Sequence, residues 1–317
     1  MEAADLAHQL ARASKAKATV SKYESYWNMF TAWTESHDLA SLPASPQTVA
    51  LYLATCSKTD RSISVFNSKF YAIRWKHNLC GLDDPCSNSL PSMVLEGCRR
   101  TARAQPRKKA ILGTSFLIEL CSKFGSEDST LRDLRLCCMA VLAYSGFLRI
   151  SEVLRLRFKD ITLFDSHICL MIRTSKTDYY SKGQEVTIAP GSTVAAPRAI
   201  VDRYFRKANL AALLPESYIF RTLKRGKKGF SLGSTNKPMC YNRAREDLKF
   251  YLKRLGLDAD TYGWHCLRRG GASSAAKANI PDRLFKSHGR WRSETAKDGY
   301  VSDSLANRLS VSKSLLL

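Results

Sequence analysis

Apolar residues recur at helical spacing through the first third of the chain. Tyr23, Trp27, Phe30 and Trp33 fall at three- and four-residue steps, which makes one apolar helical face. Such a stripe is read as core. Pro46 stands where a helix can begin, ahead of Val49, Leu51 and Leu53. Two more helical stretches are expected around 63–75 and 89–103. Beyond about residue 110 the pattern alternates. Helices are expected at 114–124 and 130–145, then short β-like runs near 160–164, 167–173 and 185–189, bounded by Asp165-Ser166 and Ser181-Lys182-Gly183. Helical patterns resume around 194–208, 238–255, 264–278, 281–287 and 294–314. Residues 221–237 are glycine-rich and basic and are read as an exposed loop. The fold class predicted is mainly α with a small antiparallel β-sheet.

At 317 residues the chain has room for two domains, each able to bury a core. A break in composition marks where they meet. From Arg99 to Lys109, six of eleven residues are basic (Arg99, Arg100, Arg103, Arg107, Lys108, Lys109), none is acidic, and Pro106 interrupts them. The expected division is a helical domain at 1–104, a basic linker at 105–112 and a second domain at 113–317.

Charge changes the picture most. Fifty Lys and Arg against 28 Asp and Glu give a net +22. A surplus that large repels itself unless the partner is a polyanion, so nucleic acid is the expected ligand. Residues 1–110 hold 15 basic and 9 acidic side chains and the remainder 35 and 19, so the positive field is concentrated in the second domain. The six cations of the run from Arg99 to Lys109 suit a segment lying along a DNA backbone. No span across a membrane is expected, because the longest apolar run, Leu136 to Leu148, is too short and reads as a buried helix. No apolar signal segment is read at the N-terminus. Ten scattered cysteines form no C-x-x-C pair, so they are read as reduced thiols filling core.

Four segments carry candidate chemistry. Gly146-Phe-Leu-Arg149-Ile-Ser-Glu152 puts an arginine after a glycine turn at the start of a helix. Arg173-Thr-Ser-Lys176-Thr-Asp178 leaves a strand. Trp264-His265-Cys-Leu-Arg268 starts another helix, and Gly289-Arg-Trp291 is followed nine residues later by Tyr300. Singly, each is ordinary: such an arginine is usually a surface ion-pair residue, such a tyrosine packing, and such a histidine a satisfied core residue. Together and in this order they closely resemble the catalytic boxes of the tyrosine recombinase family, over roughly residues 110–301. The family's pattern is an arginine in a G-(x)-L-R-[IV]-x-E context, a β-hairpin lysine, H-x-x-R, a His or Trp after a glycine, and a tyrosine nine residues on. His288 lies twelve residues before Tyr300, off that spacing, and is set aside. The extra residue in Gly146-Phe-Leu-Arg149 and the Trp291 form resemble the recombinases of eukaryotic DIRS- and Crypton-type mobile elements.

The resemblance implies a two-lobed clamp on duplex DNA, with a core-binding domain, a catalytic domain and a C-terminal oligomerisation tail. It implies a tetramer on two DNA sites, no metal, no ATP and no small-molecule cofactor. Its mobile-element character, with the reduced cysteines, points to the nucleus. The residue types fit the chemistry. Attack by an oxygen nucleophile on a phosphodiester spreads charge over the non-bridging oxygens, and the guanidinium forks of Arg149 and Arg268 suit those oxygens. Tyr300 is then the nucleophile, a weak one without a base or a cationic pocket. His265, at i to the i+3 of Arg268, takes the phenol proton or bonds the phosphate. Trp291 donates its indole N–H, and Glu152 supports Arg149 from one turn away. Lys176 is, by the resemblance, the acid that protonates the departing 5′-oxygen. Two rivals remain at this point: a recombinase-derived DNA-binding protein that no longer cuts, and a type IB topoisomerase-like enzyme.

Overall fold

A computed structural model describes residues 2–60, 62–102, 110–175, 183–227, 229–278, 280–300 and 309. The chain divides into two compact units, Met1–Arg107 and Lys108–Leu317, so the division falls inside the basic run. Arg103, Arg107, Lys108, Lys109, Lys176 and the tail after Tyr300 except Leu309 lie outside the described residues.

Five helices build the first unit: α1 (Glu2–Ala13), α2 (Lys17–Glu35), α3 (Pro46–Cys56), α4 (Ile63–Leu79) and α5 (Ser89–Thr101). Their starts follow from local chemistry. Pro46 occupies the first turn of α3, and Ser45 Oγ accepts the Thr48 N–H at 3.0 Å. Asn88 caps α5 in the same way through the Leu90 N–H. Trp27 and Phe30 of the aromatic stripe are buried against Val49, Leu53, Phe66, Phe70, Ile73 and Leu95, with Trp33 half-buried beside them. His77 is fully buried between Ala44 N–H and Ile73 C=O, both at 2.9 Å, so it is a satisfied core histidine. Arg99 and Arg100 belong to the last turn of α5 and not to a linker. Arg99 donates to Asn67 Oδ1 and Glu96, whereas the Arg100 side chain is 80% exposed.

The second unit runs α6 (Thr114–Phe124), α7 (Leu131–Ser145), α8 (Ile150–Leu154), β1 (Ile161–Leu163), β2 (Ile168–Ile172), β3 (Gln184–Ile188), α9 (Pro197–Lys207), β4 (Leu223–Gly226), β5 (Gly229–Leu232), α10 (Tyr241–Arg254), α11 (Trp264–Lys277), α12 (Asp282–Gly289) and α13 (Glu294–Asp298). Helix α7 is its spine. Eleven of its residues are buried, and it packs on α6, α9 and α11. Thr130 and Asp133 cap its start reciprocally, at 3.3 and 3.1 Å. The sheet is antiparallel in the order β1-β2-β3. Along β2 the apolar Ile168, Leu170 and Ile172 point to the core, facing Ile188 and Val186 across the register. No helix among the described residues is long and apolar enough to cross a membrane.

Two features lock α7 in place. Arg135 and Asp247, both almost fully buried, pair at 2.6 Å, and Arg135 also donates to the Arg221 carbonyl at 2.7 Å. Breaking one half of such a pair leaves an uncompensated buried charge, at a cost of about 3–5 kcal/mol. The second feature is the absence of a side chain. A Cβ on Gly271 would lie 2.2 Å from the Tyr144 carbonyl, and one on Gly270 would lie 1.9 Å from Leu112 O. Only glycine lets α11 lie this close to the end of α7.

The structure of this unit differs from the sequence reading at one element. Residues 223–232, expected to be loop, form a second antiparallel sheet, the hairpin β4–β5, pairing Leu223 with Leu232. Its strands are short and mostly exposed, so no apolar alternation announces them. Of the helix expected at 294–314, residues 294–298 are helical, 299 and 300 form a turn, and 301–308 and 310–314 lie outside the described residues.

Candidate active site

Helix α7 stops at Ser145, and the chain turns through Gly146 and Phe147, which takes a left-handed φ of 46°. That turn is pinned by His288, whose Nε2–H donates to Ser145 O at 2.8 Å while its ring meets Phe147 edge-on. The histidine set aside on spacing therefore has a structural role. Arg149 follows as the cap of α8. Its backbone N–H donates to Glu152 Oε2 and its Nη1 to Glu152 Oε1, each at 2.8 Å. Ser175, three residues beyond β2, closes the cluster with contacts of 3.1 Å to both Arg149 and Glu152.

Helix α11 contributes His265 and Arg268. Its first turn is anchored by Trp264, whose indole N–H donates to Ala244 O at 2.9 Å. Arg268 is fully buried. Its Nη2 donates to Gly289 O at 2.8 Å, its Nη1 to Phe147 O, and its Nε–H has no partner among the described residues. Its guanidinium lies 4.8 Å from the Tyr300 ring centre and 5.4 Å from that of Trp291. His265 stacks obliquely on Tyr300 at 4.9 Å. The i, i+3 pair thus flanks one tyrosine. Trp291 is buried against Phe147, Phe285 and Tyr300, and its indole N–H likewise has no partner among the described residues. A buried donor without a partner costs free energy, and an incoming oxygen would relieve it.

Electrostatics follow from this packing. Burial and the nearby Arg149 guanidinium lower Arg268 to about 10, still a cation at neutral pH. Burial, then Arg268, Arg269 and Arg149, hold the His265 imidazole below its ordinary value, which favours the neutral, proton-accepting form. Burial alone would raise Glu152, but Arg290 and the two Arg149 donors outweigh it, so its carboxyl lies below the usual range and stays ionised. Arg149, Arg268, His265, Trp291, Tyr300 and Glu152 are thus brought together. Among the described residues, no group of three or more His, Cys, Asp or Glu is placed to hold a metal ion.

Arg290 was not expected at this site. It follows α12 with a left-handed φ of 56° and is buried, donating to Gly146 O, Phe147 O, His288 O and Glu152 Oε2 at 2.9–3.2 Å. The signal in the sequence was its position between Gly289 and Trp291, inside the motif segment.

Residues 118–304, more than half of the chain, match the phage integrase family. The chain belongs to that family of tyrosine recombinases. It is 26% identical over 307 residues to an integrase/recombinase xerD homolog of Selenomonas ruminantium, covering 93% of this chain and 86% of the relative. It is 22% identical over 283 residues to recombinase cre of Escherichia phage P1, covering 86% and 80%. Its fold resembles that of the XerH site-specific recombinase in a post-cleavage complex with a difH substrate, at a TM-score of 0.61 and 14% identity, covering 94% of this chain and 78% of that one. As a family member the chain is a DNA strand transferase.

Proposed function

We propose that this tyrosine recombinase cuts and rejoins duplex DNA at specific sites through a covalent bond to Tyr300. The observation that carries this reading is Tyr300 lodged between His265 at 4.9 Å and Arg268 at 4.8 Å, with the Trp291 indole alongside. In the proposed step the Tyr300 phenol oxygen attacks phosphorus and the bond from phosphorus to the 5′-oxygen breaks. His265 takes the phenol proton. Arg149 and Arg268 balance the charge on the non-bridging oxygens, and Trp291 gives them a neutral donor. Lys176 protonates the departing 5′-oxygen. The 3′-phosphotyrosine conserves the bond energy, so attack by a second 5′-hydroxyl reseals the strand without a nucleotide.

On the same reading the first unit and the cations Arg99, Arg100, Arg103, Arg107, Lys108 and Lys109 hold DNA backbone. The segment after Tyr300 joins protomers into a tetramer on two sites. The Phe147 insertion and Trp291 suit an enzyme of a eukaryotic mobile element acting in the nucleus.

The test begins with a pool of nicked random-sequence duplexes. Wild-type chain should retain a subset through SDS, and sequencing that subset gives the target. Tyr300→Phe deletes one hydroxyl, so it should melt as wild type and bind the selected duplex while forming no adduct. Adduct formation by this variant would remove Tyr300 from the role. Relaxation of supercoiled DNA without strand exchange between two sites would favour the topoisomerase reading.

A further inference from the structure

Two acceptors orient the arginines read as phosphate ligands. Phe147 O receives Arg268 Nη1, and Glu152 receives the Arg149 backbone N–H and Nη1. Arg290 Nη2 holds both acceptors, donating to Phe147 O at 3.1 Å and to Glu152 Oε2 at 2.9 Å. Its Nη1 reaches Gly146 O at 3.2 Å and His288 O at 3.1 Å. One planar fork therefore joins the turn before Arg149, the carboxylate behind it and the chain leading to Trp291. Only a guanidinium has the donors for this, since an ammonium is a point charge with no fixed fork. The two residues it links, Phe147 and Arg290, are also the non-glycine residues of this site held at positive φ, a conformation that persists only where the surroundings over-determine it.

We propose that Arg290 is a positioning residue for strand cleavage, acting through Glu152 and the Phe147 carbonyl to set Arg149 and Arg268 in the geometry the phosphate needs. The proposal rests on Arg149 and Arg268 being the phosphate ligands. Glu152 is faced by Arg149 from the α7–α8 turn, by Arg268 of α11 at 3.8 Å, by Arg290 after α12 and by the Ser175 hydroxyl from the segment after β2. His265 and His288 are the imidazoles beside these arginines, and the Tyr300 ring lies against Arg268. Without Arg290, burial raises the Glu152 carboxyl with less to oppose it, so a higher pH is needed to ionise it. Arg149 then keeps an ionised anchor only on the alkaline side. A purely structural arginine would give no such pH signature.

The test measures the rate of adduct formation on one nicked duplex recovered by covalent selection, at several pH values, alongside melting and DNA binding. Arg290→Met should bind DNA as wild type and cleave about a hundredfold more slowly on the acid side. Its rate relative to wild type should recover as pH rises. Arg290→Lys keeps a charge near Glu152 but not the fork, so it should be about tenfold slow with a wild-type pH profile. In a Glu152→Gln background, removing Arg290 should add little, because the group it acts through is already neutral. A loss from Arg290→Met that is equal at every pH and additive with Glu152→Gln would overturn the proposal. If Arg290→Met does not fold, Arg290→Lys at the wild-type rate would overturn it equally. Arg149→Ala separates the two levels: adduct formation by that variant at the wild-type rate would sink the reading of the site, whereas an inactive Arg149→Ala beside an unaffected Arg290→Lys sinks only the role of Arg290.

Discussion

At the scale of single residues, the site is a set of cations packed around one tyrosine and one carboxylate. His265 shows the consequence. Its lowered pKa comes from burial of part of the ring and from Arg268, Arg269 and Arg149. In the proposed step the neutral imidazole accepts the proton, and the neutral form persists to lower pH than for an isolated histidine. The acid limb of the cleavage rate on a selected duplex should therefore lie below the ordinary 6.5. Arg269→Gln removes one of those three charges and should move the limb upward. A limb at or above 6.5 in the wild-type chain would take His265 out of the proton-accepting role. Arg149, His265, Arg268, Trp291 and Tyr300 stood out in the sequence because their residue types and spacings match the motif. Arg290 did not, because the Gly146 and Phe147 carbonyls and the Glu152 carboxylate that it binds come from a segment distant in sequence.

At the scale of elements, close approach of helices decides where those residues land. Gly270→Ala should push α11 away from Leu112, displacing His265 and Arg268 together. A loss of about 1–3 kcal/mol in chemical denaturation is expected, with adduct formation falling alongside. Gly97, inside α5, has nothing within 4 Å of where a Cβ would stand. Gly97→Ala should instead gain roughly 0.5–1 kcal/mol from its higher helix propensity. Equal effects from the two substitutions would refute close packing as the reason for Gly270. Most elements were legible before the structure. The helices at 114–124 and 264–277 and the strands at 161–163 and 168–172 fall within one or two residues of the expected positions, because each has a buried apolar face with its own period. The β4–β5 hairpin was missed because its strands are exposed, with glycine and lysine where an apolar face would be.

At the scale of the whole molecule, the +22 charge should dominate binding. Affinity for duplex DNA is expected to fall steeply with salt, because each phosphate contact contributes roughly −0.9 to the log–log slope. Replacing Arg103, Arg107 and Lys108 by Ala should shallow that slope by up to ~3. An unchanged slope across a salt titration would take these three side chains off the DNA. Arg99 is a poorer candidate for the same role, since Asn67 and Glu96 already occupy its donors, whereas Arg100 remains exposed.

By itself the sequence determined what depends on order and period along the chain: the helical stripes, the three-stranded sheet, the basic break between two units and the spacing of the motif residues. Tertiary structure alone decided what depends on segments distant in sequence meeting in space. The seating of Tyr300 between His265 and Arg268 is one such outcome, the Arg135–Asp247 pair a second, and the fork of Arg290 a third. The physical reason is the range of the forces. Periodicity and turn chemistry act over a few residues and leave their mark locally. A buried charge is tolerated only where partners from elsewhere converge on it, and no local pattern records which partners those are.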